Sequence, residues 1–252
     1  MIVGNGRPSG HVTSCEQCAL RRRTNLREFT AEELGFVKQF KVDELRVEPG
    51  ASFLREGAQS EHLYTVLHGW AFRYKMLDDG RRQILNYALP ADMLGLQGTL
   101  IREMEHSVEA LTPLTLCVFP RSKLWDLYSH FPSLAFDITW LAAHEERLID
   151  EYLVSLGRRS AVERTAFLLL HLFMRAEDCG LTKDGAIQFP FTQQHLADTL
   201  GMSLVHTNKT LKRLYATNAI RWKGRLFELL DRAALANLAG DDMTPHRPRP
   251  FI

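Results

Sequence analysis

The stretch of residues 191–229 constrains the fold of this chain more than any other. Its pattern predicts a helix, a glycine turn, a second helix and a short hairpin. Thr192 is a suitable N-cap, because its hydroxyl can accept a hydrogen bond from the unpaired amides of a first helical turn. Gly201 then ends the first helix, and Ser203 can cap the second. This order of elements is that of a winged helix-turn-helix.

The second helix of this stretch separates apolar from cationic residues. Its apolar side carries Leu204, Thr207, Leu211 and Leu214, and its outer side carries Val205, His206, Lys209, Lys212 and Arg213, with Asn208 at the edge. Residues 203–227 include six Lys or Arg and no Asp or Glu. A solvated face is the ordinary explanation of a charged helix, but here the glycine turn, the single sign of charge and a basic hairpin at residues 221–225 coincide. Together they predict that the helix enters the major groove of DNA.

Composition is ordinary for a globular protein with room for two domains. The chain has 252 residues, of which 45% are hydrophobic and 24% charged. Its net charge is only +1, so the basic excess is local, as in a modular DNA-binding protein. No run reaches the ~18 apolar residues of a membrane span, and the N-terminal stretch lacks the apolar core of a signal peptide. We expect a cytoplasmic protein whose four cysteines are thiols or metal ligands rather than disulfides.

Between Phe40 and Phe119 the sequence alternates strand-like pieces with glycine turns. The turns fall at Pro49-Gly50, Gly57, Gly69, Asp79-Gly80, Gly95 and Gly98. The strand-like pieces are residues 51–54, 62–67, 70–76, 83–88 and 114–119. Asp-Gly favours hairpins, and glycine supplies the backbone conformations that tight corners require. This spacing predicts an all-β roll or barrel.

A long helix is predicted after the β region. Helical character returns at Ser122, is interrupted at Pro132 and continues over residues 133–156, with Gly157 as its end. Steps of about 3 and 4 residues define an apolar seam of Leu134, Ile138, Leu141, Glu145, Leu148, Tyr152 and Leu156. Such a seam is typical of a two-stranded coiled coil, although it also suits packing on the chain's own β domain. We favour a homodimer, because a helix-turn-helix usually reads two half-sites ~34 Å apart; Glu145 would then tune the strength or register of the dimer.

A β-roll, a long helix and a winged helix in this order resemble the Crp/Fnr family of bacterial transcription regulators. Strings similar to family motifs lie at residues 49–50, 57, 66–69, 90–95, 157–164 and 200–209. The resemblance implies an α+β fold. Its expected parts are an N-terminal arm with a CxxC pair (1–30), a β-roll sensor of the cyclic-nucleotide-binding type (31–132), a dimerisation helix (133–157), a winged helix-turn-helix (158–240) and a flexible tail (241–252).

The resemblance also implies a mode of action. A homodimer would bind double-stranded DNA at a palindromic operator and work with RNA polymerase. A redox, oxygen or small-molecule signal received by the roll would pass through the dimer helices and reorient the DNA-reading helices. The sequence does not distinguish an activator from a repressor.

Relatives that bind cyclic AMP use a Gly-Glu pair for the ribose and an Arg-Ser pair for the cyclic phosphate. The corresponding strings here are Gly95-Leu-Gln97 and Glu105-His-Ser107, so the Glu is missing and His106 replaces the Arg. A buried phosphate needs a fixed cation, which His106 supplies only if its pKa is raised. We therefore do not expect cyclic AMP as the ligand.

Oxygen-sensing relatives hold an iron–sulfur cluster with an N-terminal cysteine group and one cysteine of the roll. Cys15, Cys18 and Cys117 resemble such ligands in spacing and position. The usual third N-terminal cysteine would fall at residues 24–26, where none is present, although His11 is a conceivable substitute. Three interpretations remain open. They are a cluster with a substituted ligand, a thiol switch or single metal at the CxxC pair, and cysteines without a sensing role, with Cys117 as a buried apolar residue. Cys179 is given no role.

The resemblance places the base-reading positions at Val205, Asn208 and Lys209. Valine can touch a thymine methyl, asparagine can pair with adenine, and lysine with guanine. His206 suits a base or a phosphate. We expect phosphate contacts from Lys212, Arg213, Lys223 and Arg225, and the predicted DNA-binding set also includes Thr192, Gln193 and Ser203.

Two other classes of function were weighed against a DNA-binding regulator. A ligand-binding regulatory subunit would use the roll alone, but the basic helix face argues against it. A cupin-like metalloenzyme would need clustered histidines, whereas His62, His68 and His106 are scattered and no His-x-His occurs. The sequence also lacks a nucleophile elbow, a phosphate loop and an HExxH motif, so we expect no enzymatic activity.

Overall fold

The structure is a computed structural model that describes residues 7–8, 12–23, 25–240 and 249–252. The chain divides into two compact units. One comprises residues 1–75, 85–146 and 247–252, and the other residues 76–84 and 147–246. Residues 241–248 of the tail that is expected to be flexible lie outside the described part of the chain.

The β-roll consists of two antiparallel sheets, in agreement with the predicted fold class. One sheet has the order β1-β2-β9-β4-β7 and the other β3-β8-β5-β6. The strands are β1 (Arg7–Pro8), β2 (Asp43–Val47), β3 (Ser52–Leu54), β4 (His62–His68), β5 (Ala71–Met76), β6 (Arg82–Ala88), β7 (Met93–Leu94), β8 (Ser107–Ala110) and β9 (Leu114–Pro120).

Successive side chains of β4 face opposite sides of its sheet and join two separate hydrophobic cores. Tyr64 and Val66 face the interior of the roll, where they join the cluster that contains Leu45, Val108 and Leu116. Leu63 and Leu67 face the outer side of the sheet, and their cluster includes residues of α1 (Ala31–Phe40), α3 (Leu124–His130) and the beginning of α4 (Pro132–Arg158). The short helix α2 (Leu96–Leu100) follows β7. The outer core is therefore separate from the roll interior.

The long helix α4 packs its predicted seam against its own chain. Five apolar members of the seam are no more than 8% exposed, namely Leu134, Ile138, Leu141, Leu148 and Tyr152. Glu145 forms an ion pair with Arg73 and accepts a hydrogen bond from the Asn86 side chain. The burial of the five apolar residues favours the alternative of packing within the chain. The assignment of these five residues and Glu145 to the dimer interface stays a prediction.

The exposed side of α4 has a second repeat of 3 and 4 residues. We call this set the outer stripe; it consists of Thr139, Ala142, Glu146, Ile149 and Leu153. All five are exposed, with Ile149 at 50% and Leu153 at 67%. The helix also continues through Gly157 to Arg158, one residue beyond its predicted end.

The second unit is a winged helix-turn-helix, as predicted. Its helices are α5 (Ala161–Asp178), α6 (Gln193–Leu200), α7 (Leu204–Tyr215) and α8 (Arg232–Ala239), and its sheet has the order β10 (Ala186–Gln188), β12 (Leu226–Leu229), β11 (Ile220–Lys223). Its core is centred on Phe173, Phe189 and Phe227, all of which are at most 1% exposed. Among the described residues, no helix is both long and apolar enough to cross a membrane.

The prediction of a flexible tail differs from the structure at residues 249–252. Phe251 and Ile252 are 5% and 4% exposed and belong to the outer core of the first unit. Low helix potential does not exclude order here, because an aromatic and an aliphatic side chain can be held by a distant part of the chain.

Candidate functional site

Local caps hold the two helices of the helix-turn-helix as the sequence predicts. The Thr192 hydroxyl accepts from the His195 amide at 3.3 Å, and the Ser203 hydroxyl accepts from the His206 amide at 3.2 Å. Gly201 has φ +60° at the end of α6, in the left-handed region that glycine tolerates. These caps fix where α7 begins and therefore which of its residues face outward.

The outer face of α7 carries the predicted base-reading residues. Val205, His206 and Lys209 are exposed, and Asn208 is half-buried. Lys212 and Arg213 are exposed one turn further along the helix. The buried face is formed by Thr207, Thr210, Leu211 and Leu214. Leu204 differs from the prediction, because its side chain at the start of the helix is 42% exposed rather than part of the core.

The buried threonines of this helix pack in the core with their hydroxyls hydrogen-bonded. The Thr207 hydroxyl donates to the Ser203 carbonyl at 3.1 Å, and the Thr210 hydroxyl donates to the His206 carbonyl at 2.9 Å. Both hydroxyls are thereby satisfied by the helix itself. The inner face is buried, and the exposed polar side chains of α7 lie on the outer face.

The first helix of the pair presents few free charges. Thr192 and Gln193 are exposed at its start. Asp198 is bound by Arg82 at 2.9 Å and by the Gln194 amide at 2.7 Å, so its charge is compensated within the second unit. Burial, together with the nearby Arg82, lowers the pKa of His195.

The hairpin β11–β12 presents two cations at its tip. Lys223 and Arg225 flank Gly224, which has φ +61°, and all three residues are exposed. Arg221 is instead bound by Glu228, its cross-strand neighbour, with one contact of 2.7 Å. This pair was missed in the sequence, although the register of the hairpin would have indicated it. The hairpin packs on an aromatic cluster that includes Trp222 and Phe189, whose ring centroids are 6.0 Å apart.

His106 stands at the position where cyclic-AMP-binding relatives have an arginine, and it supplies no fixed cation there. His106 is 6% exposed, and burial, aided by Arg73 and Lys75, lowers its pKa to about 3. Lys75 lies 3.0 Å from Glu56, and Arg73 is engaged by Glu145. His106 is therefore neutral near pH 7, which supports the expectation that the roll does not take cyclic AMP.

This neutral histidine predicts a dependence of stability on pH. Below pH 6.5 the unfolded chain binds a proton at His106, whereas the folded chain does not until about pH 3, so stability falls as the pH is lowered through 6.5. Between pH 7.5 and 5.5, wild type should lose about 1.4 kcal/mol more unfolding free energy than His106→Gln. Urea unfolding followed by circular dichroism measures the difference. An identical pH dependence in the two proteins would contradict the assignment.

Three of the four cysteines come together in the outer core. Cys117 is buried there, and Cys15 and Cys18 pack against the same cluster. Lys41 and Glu44 form a buried ion pair of 2.7 Å beside them, held also by the backbone of Thr13. Burial raises the pKa of the Cys117 thiol to about 12, although Lys41 acts in the opposite direction. Sequence reasoning missed Lys41 and Glu44, since nothing local marks them as buried.

The described residues do not fit an iron–sulfur cluster. Such a cluster is normally held by four cysteine thiolates. In the described ranges, no three His, Cys, Asp or Glu side chains are grouped so that they could hold a metal ion. His11 and Thr24 lie outside those ranges. Cys179 is 8% exposed and belongs to the second unit, so it is not one of the three cysteines at the outer core.

Comparisons with known proteins match both units. Residues 44–131 match the family of cyclic nucleotide-binding domains, and residues 163–238 match the family of Crp-like helix-turn-helix domains. The chain is 32% identical to the nitrogen fixation regulation protein FixK of Bradyrhizobium diazoefficiens, over 92% of this chain and 95% of FixK. It is 27% identical to the transcriptional activator protein FnrL of Cereibacter sphaeroides, over 90% and 92%. The solved structure of FixK2 from Bradyrhizobium japonicum is similar at a TM-score of 0.71 with 28% identity, over 80% of this chain and 98% of that one.

Proposed function

The chain belongs to the Crp/Fnr family of DNA-binding transcription regulators, in the part of the family similar to FixK and Fnr, and on this premise we propose that it activates transcription as a homodimer at a two-fold symmetric operator. The family consists of transcription regulators rather than enzymes, and its members typically bind DNA as dimers. The observation that carries the proposal is the exposed face of α7, which presents Lys209, Lys212 and Arg213 and no carboxylate.

Roles within this face follow from side-chain chemistry. Val205, Asn208 and Lys209 lie at the start and middle of α7, where a recognition helix meets base edges. Valine suits a thymine methyl, asparagine an adenine and lysine a guanine. Lys212 and Arg213, with Lys223 and Arg225 of the hairpin, bind phosphates on either side. Thr192, Gln193, Ser203 and His206 lie at the helix N-termini, whose free amides favour phosphate oxygens.

Dimerisation uses the outer stripe of α4. Ile149 and Leu153 are large apolar side chains that a single chain leaves in water. Their spacing with Thr139, Ala142 and Glu146 is the 3 and 4 repeat of a coiled coil. Pairing two copies through this stripe buries both residues, and it supplies the second recognition helix that a two-fold operator requires.

The signal that controls the dimer is the oxidation or reduction of three neighbouring cysteines, Cys15, Cys18 and Cys117. Support comes from their location in one core, with Cys117 inside it and Cys15 and Cys18 packed against it. Activation, with RNA polymerase as the partner, is supported by the names of relatives such as FnrL, a transcriptional activator protein.

The hairpin cations give a prediction about salt. Each phosphate contact lowers the slope of log affinity against log salt by about 0.9. The double variant Lys223→Ala/Arg225→Ala removes two contacts from each subunit, so the slope of a dimer should become shallower by about 3 to 4. Fluorescence anisotropy of a labelled duplex between 50 and 300 mM salt, a range chosen on the order of physiological ionic strength, measures it. Lys183→Ala, at an exposed lysine outside the predicted set, serves as control. If both proteins keep the wild-type slope, the hairpin does not bind DNA.

A further inference from the structure

The segment Arg249–Ile252 is held in the first unit by the N-terminal arm. The Arg249 amide donates to the Asn25 carbonyl at 3.0 Å, and the Arg27 amide donates to the Arg249 carbonyl at 2.9 Å. These two bonds flank Leu26 and form a parallel β-bridge, so the segment pairs with the arm as a short β-strand would. Arg27 is itself fixed by Glu33 and Asp137 at 3.0 and 2.8 Å. The part of the arm that binds the segment is therefore itself held in place.

The roll holds the same segment from the opposite side through a buried carboxylate. Arg249 forms an ion pair of 2.7 Å with Asp92, whose side chain is 5% exposed. The guanidinium also reaches the Pro90 carbonyl at 3.4 Å. Asp92 is positioned by its own turn, where its second carboxylate oxygen accepts from the Leu89 amide at 2.7 Å. A fixed, buried carboxylate is a specific partner for arginine rather than a casual surface contact.

The apolar half of the segment fills the outer core. The Phe251 ring stacks on Phe29 with centroids 4.8 Å apart. Ile252 is 4% exposed, and its carbonyl oxygen accepts a hydrogen bond from the Thr65 hydroxyl. Thr65 is the direct cross-strand neighbour of Cys117 on β9. Opposed residues on one face of a sheet have Cβ atoms roughly 5 Å apart, so the side chain that binds the Ile252 carbonyl is the direct neighbour of the Cys117 side chain.

We propose that the outer face of the roll carries a peptide-docking groove, that its occupant is Arg249–Ile252 of the same chain, and that occupancy of the groove controls access of thiol-reactive molecules to Cys117. The groove is selective for an arginine followed two residues later by an aromatic and then an aliphatic side chain. Asp92 selects the arginine, Phe29 stacks on the aromatic ring, and the Thr65 hydroxyl holds the backbone of the aliphatic residue in the outer core.

Docking of the segment and modification of Cys117 are thermodynamically linked. Cys117, Phe251 and Ile252 are buried in the same outer core, so a group added to the Cys117 sulfur needs space in the core to which the segment belongs. Docking of the segment and modification of the thiol therefore oppose each other, and each weakens the other by the same factor. Because the segment also ties the arm to the roll, its release loosens the arm that carries Cys15 and Cys18. This inference goes beyond DNA binding and does not depend on it.

The test is residue-specific alkylation under native conditions. Wild type and the double variant Arg249→Ala/Phe251→Ala are pulsed with N-ethylmaleimide, and peptide mass spectrometry gives the labelling rate at each cysteine. We expect Cys117 to react at least ten times faster in the double variant. Cys179, buried in the second unit, reports unfolding there and should keep its rate. Arg232→Ala, which removes an arginine paired with Glu177 in the second unit, should behave as wild type.

Addition of a peptide distinguishes an emptied groove from a damaged roll. A capped synthetic peptide of residues 245–252 is added to the double variant at several millimolar, on the order of the effective concentration of a tethered segment. It should slow Cys117 labelling at least fivefold, and the same peptide with alanine in place of Arg249 should not. An unchanged Cys117 rate in the double variant would overturn the proposal. A faster rate that the peptide does not reverse would overturn it as well.

Discussion

Replacing Leu153 with glutamate should produce a folded monomer whose operator affinity is at least 100-fold weaker than that of wild type, a loss of about 2.8 kcal/mol. Leu153 is 67% exposed in the single chain, so the change costs the monomer little. In a dimer paired through the outer stripe, two carboxylates would be buried opposite each other without partners, which is strongly unfavourable. Each monomer would then hold one half-site alone.

Sedimentation velocity and anisotropy with an operator duplex measure the two effects. Arg147→Ala is the matched control, because it changes the charge of the same helix by the same amount and removes only an exposed ion pair with Glu151. Leu148→Glu offers a contrast, since this residue is 2% exposed within one chain and its change should lower the melting temperature instead. A Leu153→Glu protein that remains dimeric would show that the outer stripe is not the interface.

Replacing Lys209 with alanine should weaken operator binding 10- to 100-fold and broaden the set of sequences bound. Lys209 is exposed on the outer face of α7, between the buried Thr207 and Thr210 that fix its direction. A lysine that reads guanine contributes about 1–3 kcal/mol of discrimination against other bases. Because both subunits carry the change, both half-sites should lose selectivity at the same position.

Lys212→Ala separates base reading from phosphate binding. Lys212 is exposed on the same helix and carries the same charge, but it lies one turn further from the helix start. Its replacement should weaken binding to all duplexes uniformly and make the salt slope shallower by about 0.9 per subunit. Selection from a random-sequence duplex pool, read by sequencing, compares the two variants. If Lys209→Ala selected the same sites as wild type with equal sharpness, Lys209 would not read a base.

The features predicted well from the sequence depend on neighbours in the chain. Thr192, Gly201 and Ser203 act on residues three or four positions away, so their roles as caps follow from the sequence alone. The glycine corners of the roll are similar, since the turn at Asp79-Gly80 joins two strands adjacent in sequence. The family resemblance added the order of the domains, which the two matched families confirm.

The features that were missed depend on distant partners. The long helix has two repeats of 3 and 4 residues displaced by one position, and the sequence alone did not tell which one the chain covers itself. The more strongly apolar repeat, with Leu141 and Leu148, is buried, and the weaker one remains outside. Arg249 and Asp92 are likewise far apart in sequence, and no local pattern marks them as a pair. The same holds for Lys41 beside Cys117.

A hydroxyl-radical footprint of the wild-type protein on a duplex selected from random sequence shows whether two chains bind a symmetric operator. We expect one complex of two chains per duplex, with protected backbones arranged symmetrically about a two-fold axis and two contacted major grooves ~34 Å apart. The double variant Lys223→Ala/Arg225→Ala should lose the outermost protections and keep the inner ones. A footprint without two-fold symmetry, or selection that enriches no sequence, would show that the chain does not bind a symmetric operator as a homodimer.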